Sequence, residues 1–257
     1  MTQPLDSTQP VERELEEARL EIAQLSGTVA RAIRRDSSLP LPPAPLRLHV
    51  GARTSAANFW FKGICSADQV IQRFGTEPQR PVLDWGCGPG RTLAWLQRWP
   101  AWRAQYHGCD IDEEAIGWLA GHGIKNVAVC AADPPLPHPD GLFGGIFAFS
   151  VLTHIHPERH RGWYTELSRV LAPGGRAYLT TQGTAVLDDP SHPLPEAARR
   201  QFDERGFAYL AQEGHCKDAA LVSEAFTRGA LERIFVLEAY SPRGYANMDT
   251  FLVKKPD

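Results

Sequence analysis

Residues 82–90 read Val-Leu-Asp-Trp-Gly-Cys-Gly-Pro-Gly, an apolar run ending in an acid and then glycine at every second position. That is how a buried strand ends when its backbone must turn tightly and lie against a ligand. Glycine reaches positive φ at little cost and has no Cβ to hold a ligand away. The next residues, 91–99, have a helical pattern, so the loop is expected to open onto a helix N-terminus, where free N–H donors favour negative charge.

Three ligand classes use a strand–glycine–helix unit. A phosphate-gripping loop needs Gly-Lys followed by Ser or Thr, and Gly90 is followed by Arg91-Thr92. A dinucleotide loop needs G-x-G-x-x-G, and here the third glycine, Gly90, comes one residue early. What remains is acid-x-G-x-G-x-G. Asp84-Trp85-Gly86-Cys87-Gly88-Pro89-Gly90 resembles the first motif of class I S-adenosylmethionine-dependent methyltransferases. A plain glycine-rich turn is the competing reading.

The resemblance continues downstream over about residues 46–254. A second strand, 105–109, ends at Asp110-Ile111-Asp112, with Asp110 twenty residues past Gly90. In the family the acid here takes both ribose hydroxyls, which suits a carboxylate with two acceptor oxygens, and the next apolar residue, Ile111, packs on adenine. Asp112 is the natural N-cap of the helical run 113–120. A third strand, 126–131, leads to Asp133 and a Pro-rich turn. The resemblance implies that Asp133 accepts from the adenine amino group. The fourth strand, 145–150, is almost wholly apolar, as for a strand buried on both faces. Ser150 at its end joins the implied cofactor-binding set of Asp84, Gly86, Cys87, Gly88, Gly90, Asp110, Ile111 and Asp133. An amphipathic helix over 158–171 stops at Pro173-Gly174-Gly175, and a fifth strand follows over 176–181. Two more strands, 234–239 and 248–253, are expected with a turn at residues 240–245 between them. One departure stands out: the family usually starts its fourth strand with Phe-Asp, and this chain has Phe143-Gly144-Gly145.

The expected fold is therefore α/β: a Rossmann-like, doubly wound, seven-stranded sheet, mostly parallel with the last strand antiparallel, and an N-terminal helical extension. The domain occupies residues 46–257, with 46–79 as a cover segment over the cofactor edge. A Pro-rich linker, 39–45, precedes it. Before that, Val11, Leu15, Ala18, Ile22, Leu25, Val29 and Ala32 are spaced 4, 3, 4, 3, 4, 3. This heptad seam makes residues 1–38 a candidate coiled coil or a single amphipathic helix packed on its own domain. Residues 11–33 could join a homodimer or a partner protein.

Composition removes other classes. The chain has 257 residues and a net charge of −3, so no general attraction to nucleic acid is implied. The cysteines at 65, 87, 109, 130 and 216 show no C-x-x-C spacing and read as small buried residues of a reducing compartment. No apolar run reaches 18 residues and the N-terminus is polar, so a membrane span and a signal peptide are not expected. A cytoplasmic protein is the default, and no metal-ligand spacing is present.

The resemblance implies a methyltransferase using S-adenosylmethionine. Three histidines after the fourth strand, His154, His156 and His160, are candidate bases. His154 is favoured, because ligands in open α/β sheets bind beyond the carboxyl ends of the strands. His215 lies in a second variable stretch. The acceptor is expected to be a small molecule or a glycan, methylated on oxygen. Nitrogen, carbon or protein methylation, or a non-catalytic adaptor working through the N-terminal helix, are the alternatives. A nicotinamide oxidoreductase is disfavoured by the glycine spacing.

Overall fold

The computed structural model describes residues 41–50, 55–187, 194–211 and 218–257. The heptad segment 1–38 and His215 lie outside these residues, as does Cys216.

Ala44–His49 forms the short helix α1, and Ala56–Phe74 forms α2, capped by Ser55, whose side chain accepts from Asn58 N. The central strand β1, Val82–Trp85, is buried along its whole length. Two short helices follow: α3 (Leu93–Leu96) lies inside the helix expected over 91–99, and α4 (Pro100–Gln105) comes after it. Helix α3 stops at Leu96, and Pro100 holds Trp99 in extended backbone (φ −92°, ψ 123°), so α4 starts as a separate helix. The glycine loop therefore meets a single helical turn, not a long dipole.

Strand β2 (Tyr106–Asp110) leads to α5 (Glu113–Gly121), and Asp112 caps it by accepting from Ala115 N. Next come β3 (Val127–Val129), β4 (Phe143–Ala148), α6 (His160–Val170), β5 (Leu171–Thr181) and a single turn, α7 (Thr184–Leu187). Helix α8 (Glu196–Arg205) precedes a small antiparallel pair, β6 (Phe207–Leu210) with β7 (Ala219–Val222). Then α9 (Glu224–Leu231), β8 (Val236–Tyr245) and β9 (Met248–Lys254) close the chain.

The main sheet has seven strands in the order β3-β2-β1-β4-β5-β9-β8. β1 pairs in parallel with β2 and β4, and β4 with β5, while β9 runs antiparallel to β5 and β8. The order reverses at β1, so the ends of β1, β2 and β4 open a crevice. Two apolar layers cover the sheet. One packs Trp163, Tyr164, Leu167 and Val170 of α6 against Ile146, Leu179 and Phe251. The other packs Val70 of α2 with Trp102, Leu119, Phe147 and Tyr178.

The turn expected at residues 240–245 is strand in the structure. The chain reverses instead at Ala246-Asn247, both at positive φ (49° and 62°), which suits a two-residue hairpin turn. Pro242 is tolerated because β8 is an edge strand, and the pairing slips between Ser241 and Tyr245.

The Phe143-Gly144-Gly145 departure has a packing reason. A Cβ on Gly144 would stand 2.8 Å from Arg80 Cβ, and one on Gly145 would stand 2.6 Å from Phe74 Cε1. The acid that the resemblance expects after Phe143 would fall at Gly144 and crowd Arg80, in the segment between α2 and β1.

Candidate cofactor and catalytic site

Gly86, Gly88 and Gly90 all have positive φ (78°, 49° and 78°). A Cβ on Gly86 would meet Val151 Cγ2 at 2.3 Å, and one on Gly90 would meet Leu119 Cδ2 at 2.8 Å. These two glycines let the loop nest against the turn after β4 and against α5. Gly88 faces the rim: its N–H donates to Asp110 Oδ2 at 2.6 Å, and Val50 lies over it. Cys87 is buried, its sulfur near Gly108, where a Cβ would come within 2.9 Å. It is a packing residue of the loop, its N–H donating to Cys109 O and its carbonyl accepting from Gly90 N.

Asp110 sits half-buried at the end of β2. Its Oδ1 accepts from Asp112 N at 2.9 Å and its Oδ2 from Gly88 N, so both oxygens are aimed by backbone. Ile111 beside it is 49% exposed, an apolar face open at the mouth of the crevice. Asp133 lies on the exposed loop after β3 in an ion pair with Arg159, which also donates to Ala132 O. The same loop is braced from below by Glu166, which accepts from Leu136 N at 2.7 Å and pairs with Arg169.

Asp84 is buried beneath the loop. Desolvation pushes its carboxyl up to about 7, with Asp110 adding to the rise; the Tyr106 hydroxyl, which donates to Oδ2 at 3.0 Å, and Arg91 oppose it. The folded state therefore binds this proton more tightly than the unfolded chain, so its contribution to stability is greatest below pH 3.8 and fades as pH rises through 7. A displacement from 3.8 to about 7 corresponds to roughly 4 kcal/mol. Asp84→Asn should raise the melting temperature of the ligand-free protein more at pH 8 than at pH 4.5, measured by calorimetry. Equal gains at both pH values would contradict the buried-carboxyl account.

Ser150, just past β4, holds φ 62° although it is not glycine. Such a conformation survives only where neighbours enforce it. Thr180 Oγ1 accepts from Ser150 N at 2.8 Å, and Thr153 Oγ1 donates to Ser150 O at 2.7 Å.

The three histidines separate clearly. His160 is buried, donates Nε2–H toward the carbonyls of Leu152 and Ile155, and is held neutral, its basicity pushed down to about 4 by desolvation. It braces the loop and is no base. His156 Nδ1 accepts from Glu158 N, and its ring lies tilted against Tyr209, centroids 4.6 Å apart. His154 Nδ1 lies 2.8 Å from Asp218 O. A carbonyl only accepts, so Nδ1 carries the proton and Nε2 keeps a lone pair. That is the tautomer a general base requires.

Two features were not legible in the sequence. His49 Nδ1 meets Asp112 Oδ2 at 2.6 Å, and Arg91 donates to Val50 O at 2.6 Å. Together they strap α1 across the glycine loop, through partners 63 and 41 residues apart. The small sheet β6–β7 also went unread; it brings Asp218 to His154.

Residues 82–175 match the family model of a methyltransferase domain. The chain is 30% identical over 198 residues to the methyltransferase GfsG of Streptomyces halstedii, covering 74% of this chain and 67% of that one. It belongs to the class I S-adenosylmethionine-dependent methyltransferases. This methyltransferase is also 31% identical over 136 residues to the malonyl-[acyl-carrier protein] O-methyltransferase of Herminiimonas arsenicoxydans, covering 52% of this chain and 50% of that one. The chain thus spans from half to two thirds of the length of these relatives. In fold it matches an S-adenosylmethionine-dependent methyltransferase of Methanosarcina mazei, with a TM-score of 0.54, 20% identity, and coverage of 73% and 97%. The cofactor of the methyltransferase is S-adenosylmethionine. Among the described residues no helix is long and apolar enough to cross a membrane, and no group of three or more His, Cys, Asp or Glu could hold a metal ion.

The residues present fit that cofactor. A two-oxygen carboxylate, an exposed apolar side chain and a loop with glycine at every second position lie together at the switch point of the sheet.

Proposed function

We propose that this methyltransferase transfers a methyl group to an oxygen of a small molecule or glycan, with His154 as the general base. The observation that carries the proposal is the hydrogen bond from His154 Nδ1–H to Asp218 O, which leaves Nε2 as an acceptor. An acceptor hydroxyl of high pKa gains from such a base. The O-methyltransferase named above supports oxygen as the receiving atom.

In this reading the cofactor supplies an activated methyl group for in-line displacement. Asp110 holds the ribose diol through Oδ1 and Oδ2, Ile111 packs on adenine, and Asp133 accepts from the adenine amino group. Asp84, Gly86, Cys87, Gly88, Gly90 and Ser150 shape the remaining wall. His154 removes the acceptor proton. Holding the reactants at near-attack distance contributes on the order of 7–11 kcal/mol, and the base adds to that. The acceptor enters between the cover segment 46–79 and the β6–β7 cap.

The strap has a role in the same scheme. The His49–Asp112 pair fixes Val50 over Gly88, so His49→Ala should speed cofactor release. A partly exposed pair of this kind is worth about 1 kcal/mol, roughly five-fold in Kd. Titration calorimetry with S-adenosylhomocysteine checks it, and an unchanged Kd would remove the strap from cofactor retention.

The acceptor is tested by incubating the enzyme with isotopically labelled S-adenosylmethionine and a panel of sugars, phenols and carboxylic acids. A labelled ether that resists mild base supports the proposal. A base-labile ester would indicate a carboxylate acceptor, which needs no base. Label on nitrogen, carbon or protein would overturn oxygen transfer.

A further inference from the structure

On the side of the β6–β7 cap where the chain leaves His156, an open groove of about 580 Å³ runs between the start of α6, the end of α8 and α9 with the residues that follow it. Its apolar walls include Pro157, Phe207 and Phe226, the two rings 5.1 Å apart. Its rim carries Arg161, Arg205 and Arg233. Glu158, also at the rim, is paired with Arg205, whose guanidinium also lies over Phe207 at 4.4 Å. No carboxylate among the described residues pairs with Arg161 or Arg233. A chain of net charge −3 thus carries a local excess of positive charge around an aromatic floor. Open apolar grooves between helices with charged rims suit an amphipathic segment of opposite charge.

The chain contains such a segment. Residues 11–22 hold Glu12, Glu14, Glu16, Glu17 and Glu21 against Arg13 and Arg19, five minus two, a net −3. Val11, Leu15, Ala18 and Ile22 repeat at spacings of 4, 3 and 4, which puts them on one face of a helix. The intervening residues 23–43 can span up to about 70 Å when extended. A domain of this size has a radius of gyration of roughly 17 Å, so the segment reaches the groove of its own chain.

We propose that residues 11–22 dock in this groove of the same chain, apolar face on Phe207 and Phe226, glutamates toward Arg161, Arg205 and Arg233.

The test is amide hydrogen exchange of residues 11–22 in the full-length protein, read by mass spectrometry. The wild type should show protection independent of protein concentration. Arg161→Glu with Arg233→Glu should lower it about ten-fold, from loss of several rim ion pairs. Glu14→Arg with Glu17→Arg, which leaves the domain untouched, should do the same, and combining both pairs of reversals should restore it. Unprotected amides in the wild type would overturn the proposal. So would protection that ignores both reversals, or protection that grows with concentration, as self-association through the heptad seam would give.

Discussion

Asp110→Ala should lower S-adenosylmethionine affinity by about 100-fold or more while the protein stays folded. The magnitude follows from the carboxylate. Two hydrogen bonds from a vicinal diol to an ionised acceptor contribute about 1.5–3 kcal/mol each. The same oxygens already accept from Gly88 N and Asp112 N, so alanine also frees the glycine loop. Asp110→Asn separates the two effects. It keeps one acceptor oxygen for the loop but offers an amide to the diol, and should lose most of the affinity with a near-native melting temperature. Calorimetric titration of both variants decides the matter, and unchanged affinity in Asp110→Ala would overturn the ribose assignment.

His154→Asn should cut kcat by about 10²–10⁴ for a hydroxyl acceptor with no change in cofactor Kd. Asparagine can still donate toward Asp218 O, so the cap stays in register, but no lone pair remains where Nε2 stood. His156→Asn and His160→Asn act as contrasts. His156 spends Nδ1 on the Glu158 amide, so its loss should leave kcat within a few-fold. His160 is buried against the carbonyls of Leu152 and Ile155, so its loss should lower the melting temperature first. Because His160 is held neutral down to about pH 4, its share of stability is present above pH 6.5 and is lost as pH falls toward 4. Single-turnover kinetics with a saturating acceptor separate these outcomes. An unchanged chemical step in His154→Asn would remove the base and favour transfer by positioning alone.

Much of this was legible from local pattern, because the first half of the site lies in one stretch of chain. The loop glycines, the acid at the end of β2 and the order of strands are set by spacing along the sequence. Short-range rules of backbone conformation and burial act on that spacing directly. The helix expected over 91–99 is shorter, Leu93–Leu96, and a separate helix starts at Pro100. The hairpin turn is displaced as well, to Ala246-Asn247. Pro242-Arg243-Gly244 looks like a turn, yet an edge strand tolerates both a proline and a bulge.

The sequence, with the family resemblance its motifs carry, determined the fold class, the cofactor loop and the residues Asp84, Asp110 and His154 as candidates, since each lies at or just past the carboxyl end of a strand. Only the tertiary structure decided which histidine keeps a free lone pair, because that depends on Asp218, 64 residues away. It also decided that Asp84 is a buried carboxyl pushed up toward neutrality, and that His49 and Val50 close over the loop. Contacts of this range depend on how layers pack rather than on any local period, and a carboxylate or imidazole takes its protonation state from the side chains and carbonyls that packing brings against it.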